Sequence, residues 1–110
     1  MKRFAANRVY LLDSQTLLRN GVVELDDATH DVLRTFSLEE EISQTEWIGG
    51  LIMVCYDYPI RKEGEDYATF ISRLHHFTVC SNHEVLHAYH VTAFNVSSME
   101  FTAESRILTL

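Results

Sequence analysis

Most of this chain carries the pattern of β-strands, with polar breaks between apolar runs. Phe4 to Leu12 alternates weakly and Leu17 to Leu25 follows it after a short polar break. Within the second run Asn20-Gly21 indicates either a turn or a bulge, because both residues tolerate a positive φ. Val22 to Leu25 and Val32 to Leu38 flank a polar loop and predict a hairpin. The first 38 residues therefore predict three strands.

The second half of the chain adds further extended segments. Trp47 to Cys55 is a short apolar run with a glycine pair, which is typical of a buried strand that lets another backbone approach closely. Thr78 to Cys80 predicts the start of another strand, and Val85 to Val96 is rich in aromatic and β-branched residues, which favour the extended form. Arg106 to Leu110 predicts a short final strand.

One segment has the period of a helix instead. After Gly64, apolar residues recur at the spacing that places them on one face of a helix. These residues are Tyr67, Phe70, Ile71, Leu74 and Phe77. Asp66 precedes them and has a side chain suited to an N-cap. The pattern predicts one helix at about residues 65–77.

These elements predict a β-rich α+β fold in a single domain covering residues 1–110. The expected architecture is a small β-sandwich or a partly open barrel of six to eight strands, with one helix packed on it. A chain of 110 residues is long enough to bury a sizeable core without staples. Its 46% hydrophobic and 23% charged residues are typical of an ordered globular domain.

Charge and apolar run length exclude two classes of partner. With 16 acidic and 9 basic residues, the formal charge of −7 disfavours nucleic acid and anionic lipid surfaces. No apolar run approaches the ~18 residues of a membrane span, and Asn7 and Arg8 interrupt the N-terminal apolar run. We therefore expect no nucleic-acid or membrane partner and a cytoplasmic location, where Cys55 and Cys80 are expected to be buried thiols.

The stretch HEVLHAYH matches the H-E-x-x-H pattern of zinc proteases. On a helix His83, His87 and His90 would share one face and bind zinc, with Glu84 as the general base acting on bound water. In a strand the same histidines do not converge, because residues i and i+4 lie about 13 Å apart and His90 points to the opposite face. The β-branched and aromatic residues that follow favour the strand.

Two stretches of the chain resemble a known family. The opening FAANRVYLLDSQTLLRNGVVELDD, followed by TEWIGGLIMV, resembles the start of amidohydrolase-superfamily enzymes of the chlorohydrolase and deaminase kind. The ending VTAFNVSSMEFTAESRILTL is similar to how some of those chains finish. In that family the first strands form a small β domain and the C-terminal strands return to complete it. The resemblance covers about half of the chain.

The chain departs from this family at the metal site. In those enzymes the apolar strand after the glycines leads into an H-x-H pair that binds the catalytic metal, whereas GGLIMVCYDYPIRKEG contains no histidine. A (β/α)8 barrel of ~250 residues has no room in this chain. The resemblance therefore implies the accessory β domain without its enzyme, with no cofactor and no catalytic residue carried over.

The leading functional prediction is a non-catalytic, stand-alone β domain that acts by self-association, as a homo-oligomer, or by binding a protein partner. Contacts are expected at the exposed sheet edges and at Trp47, Tyr56 and Tyr58. The alternative is a small zinc-dependent hydrolase that uses the HEVLH histidines and Glu84. A third reading is a β domain that binds a small molecule, for which the sequence gives no ligand cue.

Overall fold

The structure is a computed structural model. It describes residues 2–37, 45–56, 59–78 and 85–110, without the side chains of 76–78. This part of the chain contains seven strands and one helix. The elements are β1 (Lys2–Leu11), β2 (Thr16–Leu25), β3 (Val32–Ser37), β4 (Thr45–Trp47), β5 (Leu51–Cys55), α1 (Tyr67–Thr78), β6 (His87–Thr92) and β7 (Arg106–Thr109). The predicted β-rich α+β class with one helix is therefore confirmed, and the strand number lies within the predicted range. Cys80 lies outside the described residues.

All seven strands belong to one mixed sheet. Its order is β3-β2-β1-β5-β6-β7, and β4 lies beside β1. β1 pairs antiparallel with β2 and parallel with β4 and β5, and the other pairs are antiparallel. The sheet curls until Asp31 bridges His87 and the Val32 amide donates to the Leu86 carbonyl at 2.9 Å. No ladder between described residues closes it, so of the two predicted forms it is closer to the partly open barrel.

A sharp bend lets the sheet curl. Phe4 and Ala6 contact the same apolar cluster as Val9 and Leu11, although strict alternation would place the two pairs on opposite faces. β1 therefore changes face at Asn7, which explains its weak alternation in the sequence. In β2 Asn20 has a φ of 48°, and the register with β1 is the same on both sides of it. Asn20-Gly21 is thus a bend inside a continuous strand, neither the turn nor the bulge that the sequence predicted.

The apolar run from Trp47 to Cys55 is divided by its glycine pair. Ala5 of β1 pairs with Trp47 of β4, and Arg8 pairs with Leu51 of β5. An advance of three residues along β1 therefore matches an advance of four residues from β4 to β5. The extra residue lies at Gly49-Gly50, where both φ angles are positive. A Cβ on Gly50 would lie 3.0 Å from the Val91 carbonyl oxygen, which confirms the close backbone approach expected from the glycine pair.

The two faces of the sheet bury separate apolar clusters. The concave cluster includes Val9, Val23, Ile52 and Val54. The other face of the sheet packs against α1. In α1 Phe70 is fully buried and contacts Phe101 edge-on, with ring centroids 5.2 Å apart. The sheet residues of this second cluster include Tyr10, Leu51, Met53, Tyr89 and Val91.

The helix begins where the sequence placed its cap. The Asp66 carboxylate accepts a hydrogen bond from the Thr69 amide at 2.8 Å, which satisfies one of the unpaired amides of the first turn. The helix then runs one residue beyond its predicted end, to Thr78. Within the described ranges, no helix has the length and apolar character needed to cross a bilayer.

Candidate functional site

The structure separates the two histidines of the zinc pattern that it describes. His87 and His90 both lie on β6, which is extended as the sequence analysis favoured. His87 Nδ1 is 3.9 Å from Asp31 Oδ1, whereas His90 Nε2 bonds to the Gly49 carbonyl at 3.0 Å. Three residues along a strand span about 10 Å, so the two rings serve different neighbours. His83 and Glu84 lie outside the described residues, and the remainder of the zinc prediction rests on them.

His90 supports the bend in the sheet. Burial lowers the pKa of His90 below its ordinary value, and the hydrogen bond to the Gly49 carbonyl offsets part of that effect. The contact requires a proton on Nε2, which donates to the Gly49 carbonyl. The described part of the chain brings together no group of three or more His, Cys, Asp or Glu side chains that could hold a metal ion.

The aromatic residues predicted as contacts are in different situations. Trp47 on β4 has 51% of its surface exposed, the largest exposed aromatic among the described residues. Tyr56 follows β5 and is half-buried. Tyr58 lies outside the described residues. Trp47 therefore remains a contact candidate by exposure.

The outer edge of β3 is a longer candidate contact surface than the single side chain of Trp47. β3 ends the strand order and pairs with β2 alone over Val32–Ser37, apart from the single bond from the Val32 amide to Leu86. Among the described residues no other strand lies along that edge. A six-residue strand with one free side is the surface that a further strand can extend.

The hydrogen-bond alternation across the sheet shows which β3 groups point outward. The Ala5 carbonyl accepts from the Ile48 amide, so the backbone groups of Ala5 face β4 and not β2. In an antiparallel ladder the paired and unpaired positions alternate, so Val22, opposite Ala5, directs its groups to β3. The backbone N–H and C=O of Phe36, which lies opposite Val22, therefore point towards β2. The next residue, Thr35, must direct its N–H and C=O away from the sheet.

Side chains near this edge form an ion network on the face of the sheet opposite the concave cluster. Glu24 accepts from Arg3 Nε at 2.8 Å and lies 3.3 Å from an Arg34 terminal nitrogen. The Arg3 hydrogen bond lowers the pKa of Glu24, although burial opposes it. The Arg34 guanidinium also lies 4.9 Å from the centre of the Phe36 ring. Arg34 and Phe36 thus lie side by side on the strand that carries the open edge, and 63% of the Arg34 side chain is exposed.

A small apolar slot opens beside the start of β3. Its volume is ≈ 220 Å³ and its aliphatic walls come from Leu11, Val32, Leu33, Val54 and Leu86. Half of the Leu33 surface is exposed there. Pockets for drug-sized ligands usually occupy about 300–1,000 Å³, so the slot has room only for a smaller molecule.

No protein-family model, curated protein or solved structure matches this chain. The comparisons therefore identify no amidohydrolase-like domain, and that resemblance stays a prediction. Sequence reasoning named the sheet edges but missed Thr35, the residue with outward backbone groups. Only the strand order could have shown it, because local alternation does not say which strand lies at an edge.

Proposed function

We propose that this chain is a non-catalytic β domain that self-associates by pairing the β3 edges of two copies. The observation that carries the proposal is the outer edge of β3, which no other described strand pairs with, and along which the Thr35 N–H and C=O are directed away from the sheet. Exposed edges of this kind are the usual template for strand addition. The resemblance to the amidohydrolase β domain, which implies a domain without its enzyme, and a cytoplasmic location belong to the same proposal.

A second copy is favoured as the occupant because β3 is complementary to itself. In an antiparallel pair with Thr35 on the two-fold axis, Thr35 lies opposite Thr35 and Arg34 lies opposite Phe36 of the other copy. Cross-strand threonine pairs are favourable, and a guanidinium over a ring adds a cation–π contact. Such a pair is isologous and closes as a dimer.

Analytical ultracentrifugation of three proteins tests this arrangement. The parent is expected to form a dimer with a dissociation constant of roughly 10–1,000 µM, because one short edge contributes few bonds. Thr35→Pro removes the outward N–H without removing a bond to β2, so this variant should remain monomeric while keeping its circular dichroism spectrum. Thr35→Val keeps the N–H and should dimerise like the parent.

Two results would overturn the proposal. One is a parent that is monomeric at the highest concentration of that range. The other is a folded Thr35→Pro variant that dimerises as strongly as the parent, which would place the contact elsewhere, with Trp47 as the next surface to examine.

A further inference from the structure

Three cationic residues line one groove without forming an ion pair among the described residues, although the Lys62 charge lies near enough to the Glu65 carboxylate to interact with it. Arg61, Lys62 and Arg106 surround a groove of ≈ 250 Å³ next to β7. Three other arginines form ion pairs with Glu24 or Glu65. The groove residues Arg61, Lys62 and Arg106, in contrast, do not lie within ion-pair distance of a described carboxylate. In a chain with a formal charge of −7, a third of the nine Lys and Arg residues meet here.

The structure holds Arg61 in place and leaves its charge available. Its guanidinium lies 4.3 Å from the centre of the Phe101 ring, and its Nε donates to the Glu65 backbone carbonyl at 3.0 Å. The Glu65 carboxylate instead pairs with Arg73, with both contacts under 3 Å. Arg61 is therefore oriented by a ring and a carbonyl, and neither neutralises its charge.

The remaining walls make the groove amphipathic. Ile60, Phe101 and Ile107 supply apolar surface, and 68% of Ile60 is exposed. Glu63 is the one carboxylate among the described lining residues, so the three cations exceed it by two charges there. Exposed apolar surface beside unpaired cations suits a ligand with an anionic head and a short apolar body.

We propose that this groove binds a small organic anion whose head, a carboxylate or a phosphate, contacts Arg61, Lys62 and Arg106. The apolar body of the ligand packs on Ile60 and Phe101. The volume restricts that body to several carbon atoms. The groove includes no residue of β3, so it is separate from the edge proposed to self-associate and goes beyond that function.

Amide chemical shifts during NMR titration test the site with hexanoate and hexan-1-ol, which have the same chain length but different heads. Hexanoate is expected to shift the Ile60, Lys62 and Arg106 amides saturably and to bind about tenfold more tightly than the alcohol. Hexyl phosphate, titrated in the same way, shows whether the groove prefers a phosphate or a carboxylate head. The anion with the lower dissociation constant carries the preferred head. Thr35→Pro should bind hexanoate like the parent.

Charge-removing variants supply the control. The double variant Lys62→Gln, Arg106→Gln changes two exposed side chains and is expected to weaken hexanoate binding about tenfold. Arg19→Gln removes an exposed charge elsewhere and should leave binding unchanged. The proposal is overturned if hexan-1-ol binds as tightly as both anions, if neither anion shifts the groove amides, or if the double variant binds hexanoate like the parent.

Discussion

The side chain of Asn7 accepts a hydrogen bond from the Gly50 amide at 2.9 Å, across the point where the sheet bends. On one side of this contact the Ile48 amide donates to Ala5, and on the other the Arg8 amide donates to Gly50. Asn7 thus satisfies the amide that the extra residue at Gly49-Gly50 leaves out of the ladder. The bend is held by a side chain at the position where the backbone pairing is interrupted.

Replacing Asn7 with Ala should lower the free energy of unfolding by about 1–3 kcal/mol, because the Gly50 amide loses its acceptor in a partly buried position. Urea denaturation measures the loss. Asn7→Asp keeps an acceptor oxygen of similar reach and should retain most of the stability. Equal losses in the two variants would show that the hydrogen bond is not what holds the bend.

Gly21 is predicted to tolerate no side chain. A Cβ on Gly21 would lie 2.5 Å from Val9 Cγ2. Gly21→Ala is therefore expected to cost about 1–3 kcal/mol of unfolding free energy through overpacking. Val9→Ala removes the methyl group at 2.5 Å but keeps the Val9 Cβ, 2.8 Å from the added atom, so in that background the cost of Gly21→Ala should be smaller but not abolished, and a double-mutant cycle measures this coupling. Strictly additive effects would contradict the predicted contact.

The sequence predicts local features of this chain well. The position of Asp66 before a helical apolar pattern predicts the cap, and the pair Gly49-Gly50 predicts the close backbone approach found at Gly50, since both features depend on neighbours in sequence or on the absence of a side chain. Asn20-Gly21 was misread because the same residues suit a turn, a bulge or a bend. Only pairing with β1 distinguishes these forms.

The candidate sites depend on contacts that local patterns do not carry. The outward direction of the Thr35 backbone follows from the bond between Ala5 and Ile48, two strands away. Arg61 and Arg106 line one groove because β7 returns beside the segment that precedes α1. No spacing between these residues in the sequence indicates that they meet. The long-range order of the sheet therefore carries the functional information.

Stability should fall as the pH drops below the ordinary pKa of histidine, in part because of His90. Since burial holds the pKa of His90 below that value, the unfolded chain takes up a proton on acidification before the folded chain does. His90→Gln should flatten this part of the profile of unfolding free energy against pH.

A second pH effect is expected from Glu65. The bidentate contact with Arg73 is the largest cause that lowers the pKa of Glu65 to about 2. Because this folded-state pKa lies below the ordinary 4.5, the pair stabilises the fold above that value, and the contribution is lost as the pH falls from 4.5 towards 2. Arg73→Gln leaves a carboxylate that is only 5% exposed without its arginine, with the Lys62 amide still donating to it at 3.2 Å, and should cost roughly 2–4 kcal/mol at neutral pH.

Acid titration of the Arg73→Gln variant separates the ion pair from simple packing. Without Arg73 the pKa of Glu65 should return towards its ordinary range, so the variant should lose less stability than the parent between pH 4.5 and 2. Arg73→Lys keeps a charge but lacks the two-pronged geometry, and should recover part of the loss at neutral pH. If Arg73→Gln destabilises the protein equally at pH 7 and at pH 2, the contribution of Arg73 is its packing over Phe70, 5.7 Å from the ring centre, and not its charge.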